Sequence, residues 1–155
     1  MLLLNGCAHH PYRIIDDSEA SRARAVPGDP SLRAREVALV ALSAVGVPYR
    51  YGGSAPSEGF DCSGLVQYAY SRAGVQLPRT TYAMSTMGPS VAAADLQPGD
   101  LVFFDTLRRP FSHVGIYIGD SQFIHAPTSG GVVQLVDMRQ TYWRKRYDGA
   151  RRVAP

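Results

Sequence analysis

Cysteine is scarce in this sequence: its 155 residues include only Cys7 and Cys62. No stretch approaches the roughly 18 consecutive apolar residues that a membrane-spanning helix needs, so no helical span is expected. Charged residues make up 19% against 45% apolar, with a formal net charge of +3. That balance is globular and excludes a disordered chain. It also lacks the concentrated basic stripe with interleaved aromatics that marks a nucleic-acid binder. The nearest approach to such a stripe is YWRKRYDGARRV, 142–153. It reads as a solvated terminal segment whose charge aids approach to an anionic polymer or membrane surface. There is no internal repeat and no low-complexity tract. The length suits one domain with a real core rather than two.

The start, MLLLNGCAHH, is too short for the charged and apolar regions of a signal peptide. It resembles the last part of a bacterial lipoprotein signal, in which the cysteine after a small residue is lipidated. That resemblance implies a shortened start and a lipid on Cys7. With Ala8 following, it also implies the outer membrane, hence a periplasm-facing envelope protein. A lipid at Cys7 leaves Cys62 without a disulfide partner even in an oxidising compartment.

Residues 8–30 are polar and punctuated by Pro11, Pro27 and Pro30, and read as an irregular arm. Its apolar group Tyr12, Ile14 and Ile15 prefers burial, as a cover packed on the domain that follows, 31–155, across the groove beside Cys62; an arm packed elsewhere or left disordered is the alternative. Ser31 is the expected cap of a first helix that buries Val37, Leu39, Val40, Leu42 and Val45 and stops at Gly46. A glycine-rich loop precedes a second helix from Asp61 or Cys62 to about Ala73, burying Leu65, Val66, Ala69 and part of Tyr68. Beyond Pro98, the segments 100–104, 113–119, 122–126 and 132–137 are short, rich in β-branched and aromatic residues, and separated by turn formers. They read as consecutive antiparallel strands. Helices first and strands afterwards predict an α+β fold with the helices on one face of a small sheet.

In FDCSGLVQYAY, 60–70, a thiol stands at the start of a helix. A thiol is nucleophilic as thiolate, and the free N–H groups of a helix start favour that anion. A Cys62 thiol held below its ordinary pKa is therefore expected, with its own N–H aimed at a developing oxyanion. The ordinary alternative, a small buried hydrophobe, fits poorly with the polar, small DCSG surroundings. A base is needed next. His9 and His10 fall in the arm, but His113 and His125 fall in strands. A turn of odd length, such as Gly119-Asp120-Ser121, pairs Ile118 with Gln122 and puts both histidines on one face, whereas a two-residue loop puts them on opposite faces. The odd turn permits a Cys62–His113–His125 constellation with His113 as base and His125 orienting its ring. Zinc ligation by the same three residues is the alternative. It lacks the close C-x-x-C or H-x-x-x-H pair usual in zinc sites.

With GVPYRYGG, FDCSGLVQYAY, LPRTT, LQPGDLVFF, SHVGIYIG, FIHAP and the closing YWRKRY…ARRV in order, the chain resembles the NlpC-type cell-wall cysteine peptidases from about Arg35 to Val153. The resemblance implies a papain-like α+β fold with the helix of Cys62 packed on the sheet. It implies hydrolysis of peptidoglycan stem peptides, at the bond from the D-glutamate γ-carboxyl to meso-diaminopimelate, with no cofactor or metal. It makes Cys62 the nucleophile, His113 the general base, His125 the third residue, and Tyr49 an oxyanion donor beside the Cys62 N–H. It implies that Asp61 meets the free amine of the stem, though a helix cap satisfies Asp61 equally. Ser63, Arg79 and Ser112 match positions lining the cleft. Two other classes stay open: a catalytically silent protein that binds wall peptides, and a thiol amidase or acyltransferase on the same fold.

Overall fold

The computed structural model describes residues 29–128 and 130–153; Cys7, His9, His10 and the arm up to residue 28 lie outside them. Helix α1 spans Pro30–Ser43. Its cap is Asp29, two residues before the expected Ser31, because the Asp29 carboxylate accepts the Ser31 N–H at 2.8 Å. Pro30 occupies the first helical position, where a missing N–H costs nothing. Of the expected face, Val37 is buried and Val40 packs half-buried on the core, while Ala38 and Ala41 are buried where Leu39, Leu42 and Val45 were expected. Leu39, Leu42 and Val45 are 65%, 40% and 46% exposed. Positions 37, 41 and 44 keep the helical spacing, and the alanines among them let α1 lie close against the second helix. Gly46, with φ +92°, ends the segment as expected.

After Gly46 the chain is stapled to the far edge of the sheet. The Gly46 N–H donates to Val133 O, the Val133 N–H to Val47 O, and the Tyr49 N–H to Gly131 O, each at 2.8 Å. A short hairpin, β1 Ser54–Ala55 and β2 Gly59–Phe60, leads into α2, Cys62–Arg72. The expected burial of Leu65, Val66 and Ala69 holds, and Tyr70 joins them, its hydroxyl donating to Gly99 O at 2.6 Å.

After a single turn α3, Thr81–Met84, the strands are β3 Ser90–Val91, β4 Leu101–Phe104, β5 His113–Gly119, β6 Gln122–His125, β7 Gln134–Asp137 and β8 Tyr147–Arg151. They form one antiparallel sheet in the order β3-β8-β4-β5-β6-β7. The expected strands are all present. The closing segment differs from its reading as solvated terminus: Tyr147–Arg151 lies between β3 and β4, and Ala150 and Val153 are buried. Gly149 at φ +124° and the bulge at Phe103/Phe104 opposite it break the alternation that would have marked it as a strand.

Both faces of the sheet are covered. Leu101, Phe103, Val114, Ile116 and Ile124 pack with the helices. On the opposite face, Val102, Phe104, Phe123 and Ala150 pack with Trp143, which a one-turn helix α4, Thr141–Arg144, supplies. No described helix is long and apolar enough to cross a membrane.

Candidate active site

Cys62 is the first residue of α2. Its cap, Asp61, has extended backbone and accepts the Gly64 N–H at 2.7 Å, which leaves the Cys62 N–H free of the cap. A side chain at position 64 would collide with the Gly53 carbonyl oxygen, so only glycine lets the loop reach the helix start. The other Asp61 oxygen accepts the Gly52 N–H at 2.9 Å and Arg79 Nη2 at 2.6 Å. One carboxylate thus ties together the glycine loop, the helix start and Arg79.

Cys62, Tyr49 and His113 line a cleft of about 460 Å³. Tyr49 is held there by the Tyr49 N–H bond to Gly131 O and by Arg50 and Pro48 pairing with Phe60. Asp61, Ser63, Arg79 and Ser112 line the same cleft. Arg79 Nη1 donates to Ser63 Oγ at 2.6 Å, and the Arg79 side chain is 40% exposed against 14% for Asp61. Ser112 is buried, and its hydroxyl accepts the Thr106 and Leu107 N–H groups at 2.9 and 3.2 Å. It thereby pins the loop that forms the cleft's far wall.

The two histidines share a face, but not by the expected odd turn. The β5–β6 turn has two residues, Asp120 and Ser121, both at positive φ, closed by the pair Gly119↔Gln122. Alone it would separate the histidines. A bulge between Tyr117 and Gly119 takes Ile118 out of the ladder, so Tyr117 pairs with Phe123 and Ile116 with Ile124, which restores the parity. His113 Nε2 then lies 2.8 Å from His125 Nδ1, leaving His113 Nδ1 as its second nitrogen. His125 Nε2 lies 3.3 Å from the Gln134 side-chain nitrogen.

Trp143 was not singled out in the sequence. Its ring stacks on His113 at 5.7 Å between centroids and meets His125 edge-on at 4.8 Å, closing the pair off from the side away from the cleft. A lone tryptophan among cations, in YWRKRY, is the signal that could have found it.

Burial pushes His113 down to about 4. Burial, and then the charge of His113, push His125 down to about 3, so at neutral pH both rings are uncharged. Burial first, and then the Asp61 charge, push the Cys62 thiol up; the N–H groups of Val114, Ser63 and Cys62 act the other way and lose. The expected low thiol pKa is therefore reversed: the helix start pulls in the expected direction, but desolvation of the anion outweighs it. Tyr49 is likewise pushed up, by burial and then by Asp61, so its hydroxyl keeps its proton and can donate. Such a cleft offers a thiol, a neutral imidazole and two hydrogen-bond donors. Among the described residues, no group of three or more His, Cys, Asp or Glu side chains is placed to hold a metal ion.

The family model described as NlpC/P60 family matches residues 46–152. The chain belongs to the NlpC/P60 family. It is 50% identical over 109 residues to the murein DD-endopeptidase MepS/murein LD-carboxypeptidase of Escherichia coli, an alignment covering 70% of this chain and 56% of that protein. It is 42% identical over 132 residues to the gamma-DL-glutamyl hydrolase of Bacillus subtilis, covering 84% of this chain and 32% of that one. The chain thus spans about half or less of the curated relatives it matches. Among solved structures, an NlpC/P60 family protein from Bacillus cereus superposes with a TM-score of 0.73 at 34% identity, over 79% of this chain and 40% of that one. The NlpC/P60 fold is therefore that of the chain described above.

Proposed function

We propose that this chain is a cysteine peptidase that hydrolyses peptidoglycan stem peptides in the cell envelope. The observation that carries the reading is one cleft holding Cys62 at a helix start together with His113, with His125 2.8 Å behind it. Because thiol and imidazole are both neutral at rest, the proton moves as the bond forms. His113 Nδ1 takes the Cys62 proton while Sγ attacks the amide carbonyl carbon. The negative charge that develops on the carbonyl oxygen is received by the Tyr49 hydroxyl and the Cys62 N–H. His113 then gives its proton to the departing amine, the C–N bond breaks, and a thioester remains on Cys62. Water, deprotonated by His113, attacks the thioester, and the thiol takes its proton back. His125 orients the His113 ring and shares the charge of the imidazolium. No step needs a metal or cofactor.

For the bond, the family resemblance supports the D-γ-glutamyl–meso-diaminopimelate amide, and the B. subtilis relative's name, a gamma-DL-glutamyl hydrolase, agrees with it. A second reading, cleavage of a D,D-crosslink, has two supports. The E. coli relative is named a DD-endopeptidase. The Asp61 carboxylate already accepts two backbone N–H groups, the Ser63 hydroxyl and Arg79, which fill its roughly four acceptor sites, so a free stem amine would have to displace one of them. Ser63 and Arg79 would meet the stem from the same wall. A lipid at Cys7, holding the domain at the outer membrane, rests on the sequence and completes the proposal.

Stem tripeptide and a crosslinked stem dimer, incubated separately and read by mass, test it. A fragment beginning with diaminopimelate from the tripeptide supports the γ-glutamyl reading, and uncrosslinked stems from the dimer alone support the second. A third digestion, of stem still linked to its sugar, that releases intact stem makes the protein an amidase, and binding without cleavage of any of the three makes it a silent receptor.

A further inference from the structure

The relay from the cleft does not stop at the second histidine. His125 sits directly across the β6–β7 ladder from Gln134, and the two side chains meet at 3.3 Å. We infer that Gln134 is a positioning residue whose amide selects the tautomer of the His113–His125 pair. This inference rests on the reading of His113 as general base.

A neutral imidazole has one N–H and one bare nitrogen. To take a proton from Cys62, His113 must present a bare Nδ1, so its hydrogen is on Nε2 and is donated to His125 Nδ1. The hydrogen of His125 is then on Nε2 and needs an acceptor. Its other ring neighbours offer none: Phe123 lies at 5.2 Å and Trp143 at 4.8 Å between centroids. Gln134 is the remaining partner: the structure sets its amide nitrogen 3.3 Å from Nε2, and the base-competent pair needs the half-turned amide, of the same shape, with its oxygen facing the ring.

With the amide nitrogen facing the ring, the chain of donors reverses. His125 Nε2 must accept, its hydrogen moves to Nδ1, and His113 must accept at Nε2. The hydrogen of His113 is then on Nδ1, aimed at the cleft, and the ring cannot act as a base. A half-turn of one side-chain amide separates the two states. Gln134 stands on an exposed edge strand, so nothing in the core is disturbed when it is replaced. The groups facing the pair are Cys62 and Tyr49 from the cleft side, Phe104 and Phe123 from the sheet, Trp143 from α4 and Gln134 from β7. The charge that acts on His125 is that of His113, so a carboxylate placed at 134 meets no competing anion in that set.

The test compares wild type, Gln134→Leu and Gln134→Glu, with matching Tm values as the control for folding. The carboxylate that Gln134→Glu introduces only accepts, so it fixes the base-competent tautomer and stabilises the imidazolium. The kcat/KM profile of that variant should keep its height and move its acid limb up by about 1 pH unit. The Leu variant should lose about fivefold in kcat with KM unchanged, the worth of one hydrogen bond. Nitrogen-15 spectra should find His113 Nδ1 bare in wild type and Gln134→Glu, and partly protonated in Gln134→Leu. Identical acid limbs for wild type and Gln134→Glu, or a protonated His113 Nδ1 in all three proteins, overturn the inference. A wild type that cleaves no amide overturns the proposed function instead, and the nitrogen spectra then still decide the tautomer.

Discussion

Acidification should unfold this protein through its two buried histidines. An unfolded histidine takes up its proton near pH 6.5, whereas His113 does so near 4 and His125 near 3 because burial opposes the charge. Between those limits the unfolded chain holds more protons than the folded one, so stability falls as pH falls from 6.5 toward 4. Each histidine contributes a slope of about 1.4 kcal/mol per pH unit, so the pair contributes up to about 3 kcal/mol per unit. Two units below 6.5 the loss reaches about 5 kcal/mol, comparable with the whole stability of a small domain, about 5–15 kcal/mol. The lowered carboxyls of Asp29 and Asp137 lose their contribution only below the ordinary carboxylate range, outside this window. Urea unfolding at pH 7, 6, 5 and 4.5 measures the slope, and His125→Asn should remove about half of it. His9 and His10 are present in both proteins and cancel in the difference. Equal slopes in wild type and variant would refute the argument that the pair is buried and neutral.

The remaining predictions concern the cleft. Iodoacetamide labelling of Cys62 should have its pH midpoint at or above that of a free thiol, near 8.5; a midpoint below 7 would mean a preformed thiolate–imidazolium pair. His113→Ala should lower kcat by the ~10²–10⁴-fold typical of lost proton transfer, and His125→Ala by less, measured on whichever stem substrate is cleaved. Tyr49→Phe should lower kcat by up to ~10²–10³-fold, the range for one oxyanion donor, with KM little changed. Trp143→Leu opens the histidine pair to water, so its stability slope between pH 6.5 and 4 should become shallower. Chelators should leave stem-peptide cleavage unaffected; inhibition that added zinc reverses would favour the ligand reading of the same residues.

Much of the architecture was legible because local chemistry and global fold agree where it matters. Asp61 before Cys62 signals a helix start, and the apolar strands after Pro98 fall between strong turn formers, so both were readable. Structure and sequence pattern part where tertiary packing overrides the pattern. Leu39 and Leu42 look like a core stripe, but α1 packs into the core with α2 through Val37 and Ala41. Tyr147–Arg151 looks solvated because Gly149 and a bulge hide its alternation. The shared face of His113 and His125 was anticipated from a turn of odd length, yet the chain reaches it through an even turn and a bulge at Ile118, a compensation that sequence spacing does not reveal. The thiol's environment differs from its sequence for another reason: helix-start polarity is visible in DCSG, while the burial that outweighs it exists only in the folded chain.

The central claim, that the Cys62 thiol cleaves peptidoglycan stem peptides, is tested most directly by digesting stem tripeptide and crosslinked dimer with wild type and Cys62→Ser side by side and reading the products by mass. The account predicts amide cleavage by wild type and a rate at least ~10³-fold lower in the variant, as expected when an activated nucleophile is lost. Equal rates in the two proteins, or no amide cleavage by wild type, would contradict it.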